Sequence, residues 1–560
     1  MENTMKILSF SYYDLPSHLR TCLLYLSIFP EDYVIEKELL VRRWIAEGFV
    51  HKEHTVGLFE IGEGYFNELI NRSMILPVEY GNQGVISGCT VHDMVLDLLR
   101  SLSREENFVT ILDNETLSQS NSRRLALQKR RKNVEHSLQD NMGMQQVRSV
   151  NATWCYTVPP LVNFRVLRVL SIEHCDFMEE GYRLGHLGNL LHLRYLGLIH
   201  TVIRELPKEI GNLKFLQTLD LRGTGLQELP QTAGLLRQLV WLRVDQKTRV
   251  PQDLIGKLTS LEELWILPAD DAYNSGARSF FSREPGARSF VKELGNLKEL
   301  RVLRLRIDEL GDSVERDLVE SLRNMHKIQF LQIMGASVWE SSAGLCMWEA
   351  IVLPRHLRYL DLSCIWFSRL PAWINSSHLP SLSYLSMTVH VVREQDLQVL
   401  GMLPQLCILH LLVRYGLGAN IIRGDVYFQK LRFCKMRCTT LRFVPSLGAP
   451  TMMPSLEDLQ FGVDVRGLKD ANIDCGKLGL ESLPSLRRVK VEINCEDASV
   501  RDVEEAEAML KHAADTHPNR PTLELIRRFE DAMILQQLFS SIILQFQRDN
   551  DDDEEEQNDE

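Results

Sequence analysis

The chain has 560 residues, 44% of them hydrophobic and 25% charged, with a formal net charge of −12. This length exceeds one ordinary domain core, and the acidic balance argues against a general electrostatic affinity for nucleic acid or anionic membrane. Eleven cysteines are scattered without a Cys-x-x-Cys pair, so neither a zinc site nor a dithiol redox motif is expected.

The N-terminus lacks the basic and long apolar regions of a secretion signal, and no apolar run reaches the length of a membrane span. A reduced, cytoplasmic protein is therefore the expectation. In the first hundred residues, Asp14-Leu15-Pro16 reads as a helix start, with Asp14 as cap and proline in the first turn. Leu19, Leu23 and Leu26 share one face of that helix until Pro30 ends it. A second helix is predicted through Glu36–Glu47, stopping at Gly48, and a third over Leu58–Arg72. Two apolar runs flank Gly81-Asn82-Gln83-Gly84, which reads as a hairpin turn, and a last helix follows Val91-His92-Asp93. Helices, a hairpin and a closing helix make a small winged-helix domain over residues 1–110. Such domains often bind DNA, but this one holds nine Lys/Arg against sixteen Asp/Glu. A DNA-reading face should be basic, so no nucleic-acid partner is expected.

Residues 111–146 read as a junction with a first degenerate repeat, whose strand falls near Arg123–Leu127. Lys129-Arg130-Arg131-Lys132 reads more readily as a solvated return loop than as a localisation signal. From 147 to 530 a pattern repeats. Leu193, Leu196 and Leu198 are answered 23 residues later by Leu216, Leu219 and Leu221, and again by Leu239, Leu242 and Val244. Further copies run from Leu167/Leu170/Ile172 to Leu486/Val489/Val491. An L-x-x-L-x-L core at a period in the twenties is the mark of leucine-rich repeats. A short strand points alternate side chains to opposite faces, and its leucines are buried only when neighbouring strands stack beside it. The expected fold is therefore α/β: a leucine-rich-repeat solenoid with a curved parallel sheet, preceded by the winged-helix domain. Between Leu267 and Leu297 the array is interrupted by the near-duplicates Gly276–Phe280 and Gly286–Phe290, read as an exposed loop. A helix ending at Pro518 and a strand at Pro521–Leu525 close the array. They are followed by a C-terminal helix over 531–547 and an acidic, disordered tail over 548–560.

Leu15-Pro16, Cys22 to Asp32, Trp44-Ile45-Ala46-Glu47-Gly48-Phe49 and Val91-His92-Asp93 together resemble plant nucleotide-binding leucine-rich-repeat disease-resistance proteins of the coiled-coil subclass. The resemblance covers nearly the whole chain and implies an N-terminally truncated copy: the winged-helix subdomain joined to the repeats. It implies that His92 meets the nucleotide's β-phosphate, with Val91 departing from the family's methionine; the neighbouring Asp93 carboxylate is expected to cap the following helix. No G-x-x-x-x-G-K-[ST] occurs, and the string before Gly256-Lys257 has Pro251 where the first glycine belongs. No cofactor is therefore expected in this chain, and ADP or ATP would bind only with the missing nucleotide-binding domain.

No catalytic constellation occurs, so an enzyme is not expected. The outward strand positions should line an exposed concave face: Tyr195, Asp220, Arg222, Trp241, Arg243, Trp265, Arg304, Arg306, Phe330, Tyr359, Asp361, Tyr384, His410, Lys435 and Arg437. Tyr, Trp and Arg supply most energy at protein interfaces, and Trp241 and Trp265 on successive strands stand out. The resemblance implies the recognition and autoregulatory part of an intracellular immune receptor in plant defence. Its partners would be a pathogen effector, a guarded host protein, or the receptor's nucleotide-binding domain. The alternative is a nucleotide-independent scaffold or decoy that binds a signalling protein.

Overall fold

The computed structural model describes residues 2–52, 56–79, 86–112, 123–128, 144–155, 158–175, 184–268, 286–307, 311–335, 339–340, 346–349, 351–413, 420–423, 428–437, 441–444, 453–466, 478–496 and 498–530. The chain forms two compact units: residues 1–310 with 320–327, and residues 311–319 with 328–560.

The first unit begins with helices α1 (Glu2–Tyr13), α2 (Ser17–Tyr25), α3 (Lys37–Glu47), α4 (Leu58–Asn71) and α5 (Asp93–Glu105). Strands β1 (Ile35–Glu36), β2 (Leu76–Glu79) and β3 (Ile86–Thr90) form an antiparallel sheet in the order β1-β3-β2. This is the winged-helix arrangement, with α1 and β1 added to the elements read from sequence. The expected turn at Gly81–Gly84 lies outside the described residues. Asp14 does not cap α2: its backbone N–H closes α1 onto Phe10, and Pro16 holds the N-cap position without a side-chain bond. Gly48 ends α3 as expected, with φ +88° and its N–H on the Trp44 and Ile45 carbonyls. Leu19, Leu23, Leu40, Trp44, Phe66 and Leu99 fill the domain core. A Cβ at Gly62 would lie 2.6 Å from Val41 Cγ1, so the close approach of α4 to α3 requires glycine there.

The parallel sheet of this unit runs β4 (Thr110–Leu112), β5 (Arg124–Gln128), β6 (Ser149–Thr153), β7 (Val169–Glu173), β8 (Tyr195–Ile199), β9 (Thr218–Asp220), β10 (Trp241–Asp245), β11 (Glu263–Leu267) and β12 (Val302–Arg306). It starts upstream of residue 147. Leu170, Leu196, Leu219, Leu242, Leu264 and Leu303 are consecutive register partners and all are buried. Each such side chain contributes about 1.5–3 kcal/mol by leaving water. Between strands the chain returns through short 3₁₀ turns such as Lys208–Asn212 and Gln231–Leu235, entered at Pro207 and Pro230. The second near-duplicate, Gly286–Phe290, is not an exposed loop. It opens helix α6 (Gly286–Leu294), whose Ala287, Phe290, Val291 and Leu294 are buried at helical spacing. Its Glu293 carboxylate accepts from the backbone N–H groups of Asp253 (2.7 Å) and Gly256 (3.0 Å). The first near-duplicate lies outside the described residues.

The second unit carries β13 (Phe330–Met334), β14 (Trp339–Glu340), β15 (Tyr359–Phe367), β16 (Tyr384–Val389), β17 (Ile408–Val413), β18 (Asn420–Arg423), β19 (Phe433–Arg437), β20 (Leu441–Val444), β21 (Asp458–Asp464), β22 (Arg488–Asn494) and β23 (Thr522–Arg528). Strands β13, β15, β16, β17, β19, β21, β22 and β23 pair in parallel in that order, while β18 and β20 form a separate pair. Leu360, Leu385, Leu409, Cys434, Leu459 and Val489 continue the buried row, with Cys434 acting as a small hydrophobe. Helix Val500–Thr516 is capped by Ser499, whose Oγ accepts from Asp502 N–H at 3.2 Å. It buries Val503, Ala506, Leu510 and Ala514 before β23 closes the order. The predicted segments at 531–547 and 548–560, and the basic run at 129–132, lie outside the described residues.

Candidate functional site

Strand geometry turns Tyr195, Asp220, Trp241 and Trp265 away from the leucine row, as expected, yet they are not exposed. Tyr195, Asp220 and Trp241 have 0% accessibility and Trp265 has 4%. Arg222, Arg243 and Arg306 are buried as well. For Tyr195 and Trp241 the cause is helix α3, whose Arg43 and Arg42 lie over the two rings. Arg42 and Arg43, on adjacent positions of α3, are both buried against the sheet.

Arg43 pairs with the carboxylate of Glu173 on β7 and donates to Ser171 Oγ at 2.9 Å. Its guanidinium lies 5.4 Å from the ring centres of both Tyr195 and Phe29. The Tyr33 hydroxyl also donates to Glu173. Burial alone would push the Glu173 carboxyl up, but Arg43 and the bonds from Tyr33 and Ser171 outweigh it and hold it below the usual range. Burial would correspondingly lower Arg43, and Glu173 reverses this and raises it. Both partners thus remain charged in a dry site.

Arg42 reaches Glu263 on β11 at 2.6 Å and lies 4.8 Å from the ring centres of Trp241 and Phe59. Among the described residues, neither the Trp241 nor the Trp265 indole N–H meets an acceptor. These rings therefore act through their faces, as cation–π partners to Arg42 and, at Trp265, to Arg243 and Arg304. Three further bonds extend the seam: Arg222 to Glu36 at 2.7 Å, Arg124 to Glu47 at 3.1 Å, and Gln128 to the Ile28 carbonyl at 2.8 Å. The two arginines of the candidate DNA-reading helix are thus committed to glutamates of the sheet.

The outward face of the second unit carries a row of stacked, half-buried rings. Phe330 stacks on Tyr359 at 3.7 Å between centroids and Tyr359 on Tyr384 at 3.9 Å. His410 continues the row, 5.4 Å from Tyr384 and 5.0 Å from Phe433. Phe330, Tyr359, Tyr384 and His410 are all half-buried. Asp361 is buried beside the ladder and accepts from Gln332 at 3.2 Å. Burial and the neighbouring Lys435 push His410 down to about 4, so the ring is neutral near pH 7. Arg304 of the first unit is likewise half-buried.

At the start of α5 the roles of His92 and Asp93 differ from expectation. The His92 ring, not the Asp93 carboxylate, caps the helix: its Nδ1 accepts from Met94 N–H at 3.2 Å. The reason is position, since Asp93 is already the first helical residue. Accepting at Nδ1 places the proton on Nε2, an exposed donor of the polarity that a phosphate oxygen needs. His92 therefore fits a nucleotide phosphate as a single donor.

Among the described residues no cluster of His, Cys, Asp or Glu could hold a metal ion, and no helix is long and apolar enough to cross a membrane. Among the described residues no cysteine forms a disulfide, and burial pushes Cys89 and Cys434 up to about 12.

Comparison with known proteins agrees with this architecture. The model of the leucine-rich repeat region matches residues 146–523, and that of the disease resistance protein winged helix domain matches 28–99. Disease resistance protein Pik-2 of Oryza sativa subsp. japonica is 28% identical over 547 residues, covering 88% of this chain and 51% of its own. Disease resistance RPP13-like protein 4 of Arabidopsis thaliana is 30% identical over 399 residues, covering 69% of this chain and 44% of its own. A solved leucine-rich-repeat protein of Leptospira interrogans has 18% identity and a TM-score of 0.42, over 68% of this chain and 90% of its own. The chain belongs to the plant disease resistance proteins that carry leucine-rich repeats behind a winged-helix domain. It spans about half the length of the curated relatives it matches.

Proposed function

We propose that this chain is the recognition and autoregulatory part of an intracellular plant immune receptor. A pathogen effector, or a host protein that the effector alters, docks on the half-open aromatic ladder Phe330–Tyr359–Tyr384 beside Asp361. The strand face of the first unit serves a different purpose: Tyr195, Asp220, Arg222 and Trp241 bind the chain's own winged-helix domain. What supports this reading is the contrast in cover between rings of the same kind at equivalent strand positions. A partner that shifts such a receptor between states must bind those states with different affinity. His92 contributes one phosphate contact to an ADP or ATP site whose remaining parts lie in a nucleotide-binding domain.

The reading is tested by co-immunoprecipitation of the full chain with candidate effectors in plant cells. Replacing Tyr359 and Tyr384 by alanine is expected to abolish capture while the second unit, though destabilised, still unfolds cooperatively in urea. Undiminished capture by that double variant would refute the assignment of the ladder.

A further inference from the structure

The outward side of the second unit carries two columns side by side. One is the row of rings, Phe330, Tyr359 and Tyr384, continued by Ile408 and Phe433. The other is polar: Asp361, Ser386, His410, Lys435, Gln460 and Lys490 are successive register partners from β15 to β22. Asp361 and Lys435 therefore stand three rungs apart, roughly 14 Å at parallel-strand spacing. They are opposite charges on one column, with the neutral Ser386 and His410 between them.

Neither charge is neutralised by a close ion pair among the described residues. Asp361 accepts from uncharged donors, Gln332 at 3.2 Å and the Ser363 N–H at 3.1 Å. Lys435 is half-buried between His410 and Gln460, and its ammonium meets no acceptor among the described residues. The carboxylates nearby are held by other cations: Glu492 by Arg437 at 2.8 Å, Glu524 by Lys490 at 2.6 Å and Asp458 by Arg488 at 3.0 Å. Burial and the repulsion of Arg437 hold the Lys435 ammonium below the usual lysine range, and the pull of Glu492 does not offset them. Beside it, the His410 Nε2 is buried and has no partner among the described residues. A lysine stem can cover neighbouring rings while its ammonium stays in water. That role does not call for an ammonium held half-dry without an acceptor, an arrangement that disfavours the charged form.

We propose that Lys435 is the carboxylate subsite of this face: a protein partner seats an aspartate or glutamate on its ammonium while an adjacent aromatic or aliphatic side chain lies on Tyr384. The subsite rests on the reading of the ladder as a docking face and adds the charge of what docks there. A single carboxylate fits better than a phosphate group, because one ammonium lacks an acceptor and the Arg437 fork beside it already holds Glu492. Asp361 sets the direction. It repels a second acid, so the partner's acidic end points toward β19 and a basic end toward β15.

The test is selection of short random peptides, displayed on phage, against the full chain, followed by fluorescence anisotropy of the selected peptides. Peptides with Asp or Glu next to an aromatic or aliphatic residue are expected. Their affinity should fall about tenfold or more in Lys435→Gln, given the strength of charge-assisted bonds, and stay unchanged in Lys490→Gln. Lys435→Arg should keep most of it. Selection against Lys435→Glu should return Lys- or Arg-bearing peptides instead. Lys435→Gln should melt at or above the wild-type temperature, so that its loss of binding is not a loss of fold. The subsite is overturned if no peptide is selected, if the peptides show no acidic preference, or if Lys435→Gln binds them equally. An equal loss in Lys490→Gln, or a Lys435→Gln variant melting well below wild type, overturns it as well. The ladder is separable from the subsite. Acidic peptides lost in Lys435→Gln but indifferent to Tyr359→Ala/Tyr384→Ala would sink the ladder reading alone. Peptides lost in the ladder variant but indifferent to Lys435→Gln would sink the subsite alone.

Discussion

The outward strand faces of the two units use the same residue types for opposite ends. In the first unit Tyr195 and Trp241 are fully buried, with Arg42 and Arg43 of α3 above their rings. In the second, Phe330, Tyr359 and Tyr384 stack on one another and stay half open. What separates them is the use made of the acidic groups: Asp361 beside the second row accepts from Gln332 of its own sheet. Glu173 and Glu263 accept the two arginines of the winged helix, whereas the rings of the second unit have aromatic neighbours of their own. An aromatic at an outward position therefore says only that a flat apolar surface is offered; the charges around it decide what sits on it.

Breaking the covered face should cost most. Arg43→Ala leaves Glu173 charged in a dry site, and a loss of about 3–5 kcal/mol is expected in urea unfolding of the first unit. Glu173→Ala should cost about as much, and the double variant should cost less than the two combined.

The next effect sets the two units against each other through pH. Burial pushes Asp245 up to about 6, partly opposed by the Gly223 N–H bond and Arg243. Its folded form binds the proton more tightly than the unfolded chain does, so its contribution grows as pH falls from about 6 towards the ordinary carboxylate value. His410 has the opposite sign. Its stabilising contribution is full above about 6.5 and is lost as pH falls through that value to about 4. Each slope is about 1.4 kcal/mol per pH unit within its window. Unfolding curves across that range should lose the first slope in Asp245→Asn and the second in His410→Gln.

Smaller again is Tyr359→Ala. Stacked, half-open rings contribute about 0.5–1.5 kcal/mol beyond the area they bury, so partner binding should suffer more than stability. Least of all is Lys327→Ala. This residue pairs with Glu299 at 2.6 Å, but both side chains are about half exposed, and a change below about 1 kcal/mol is expected in the same urea titration.

The repeats were legible because their period fixes which side chains face inward: Leu193, Leu196 and Leu198 needed no partner to be assigned. The limits of α3 were legible from Gly48. The cover on Tyr195 and Trp241 was not, because periodicity separates inside from outside and is silent on what lies over the outside. One signal was available: the outward Glu173 and Glu263 lie on the same face as those rings, and the adjacent Arg42 and Arg43 offer the opposite charge. Helix α6 was missed because the repeated Gly-Ala-Arg-Ser-Phe suggested a loop, although Ala287, Phe290, Val291 and Leu294 carry helical spacing. At α5 the carboxylate drew attention as a cap, while the histidine beside it occupied the position where a side chain meets the free N–H of Met94.

Oxidative footprinting of the full chain, read residue by residue by mass spectrometry, tests whether α3 seals the first face. Tyr195 and Trp241 are expected to be protected while Tyr359 and Tyr384 react, and Arg43→Glu should make Tyr195 and Trp241 reactive without unfolding the leucine row. Tyr195 and Trp241 labelling as fast as Tyr359 in the wild-type chain would contradict the account.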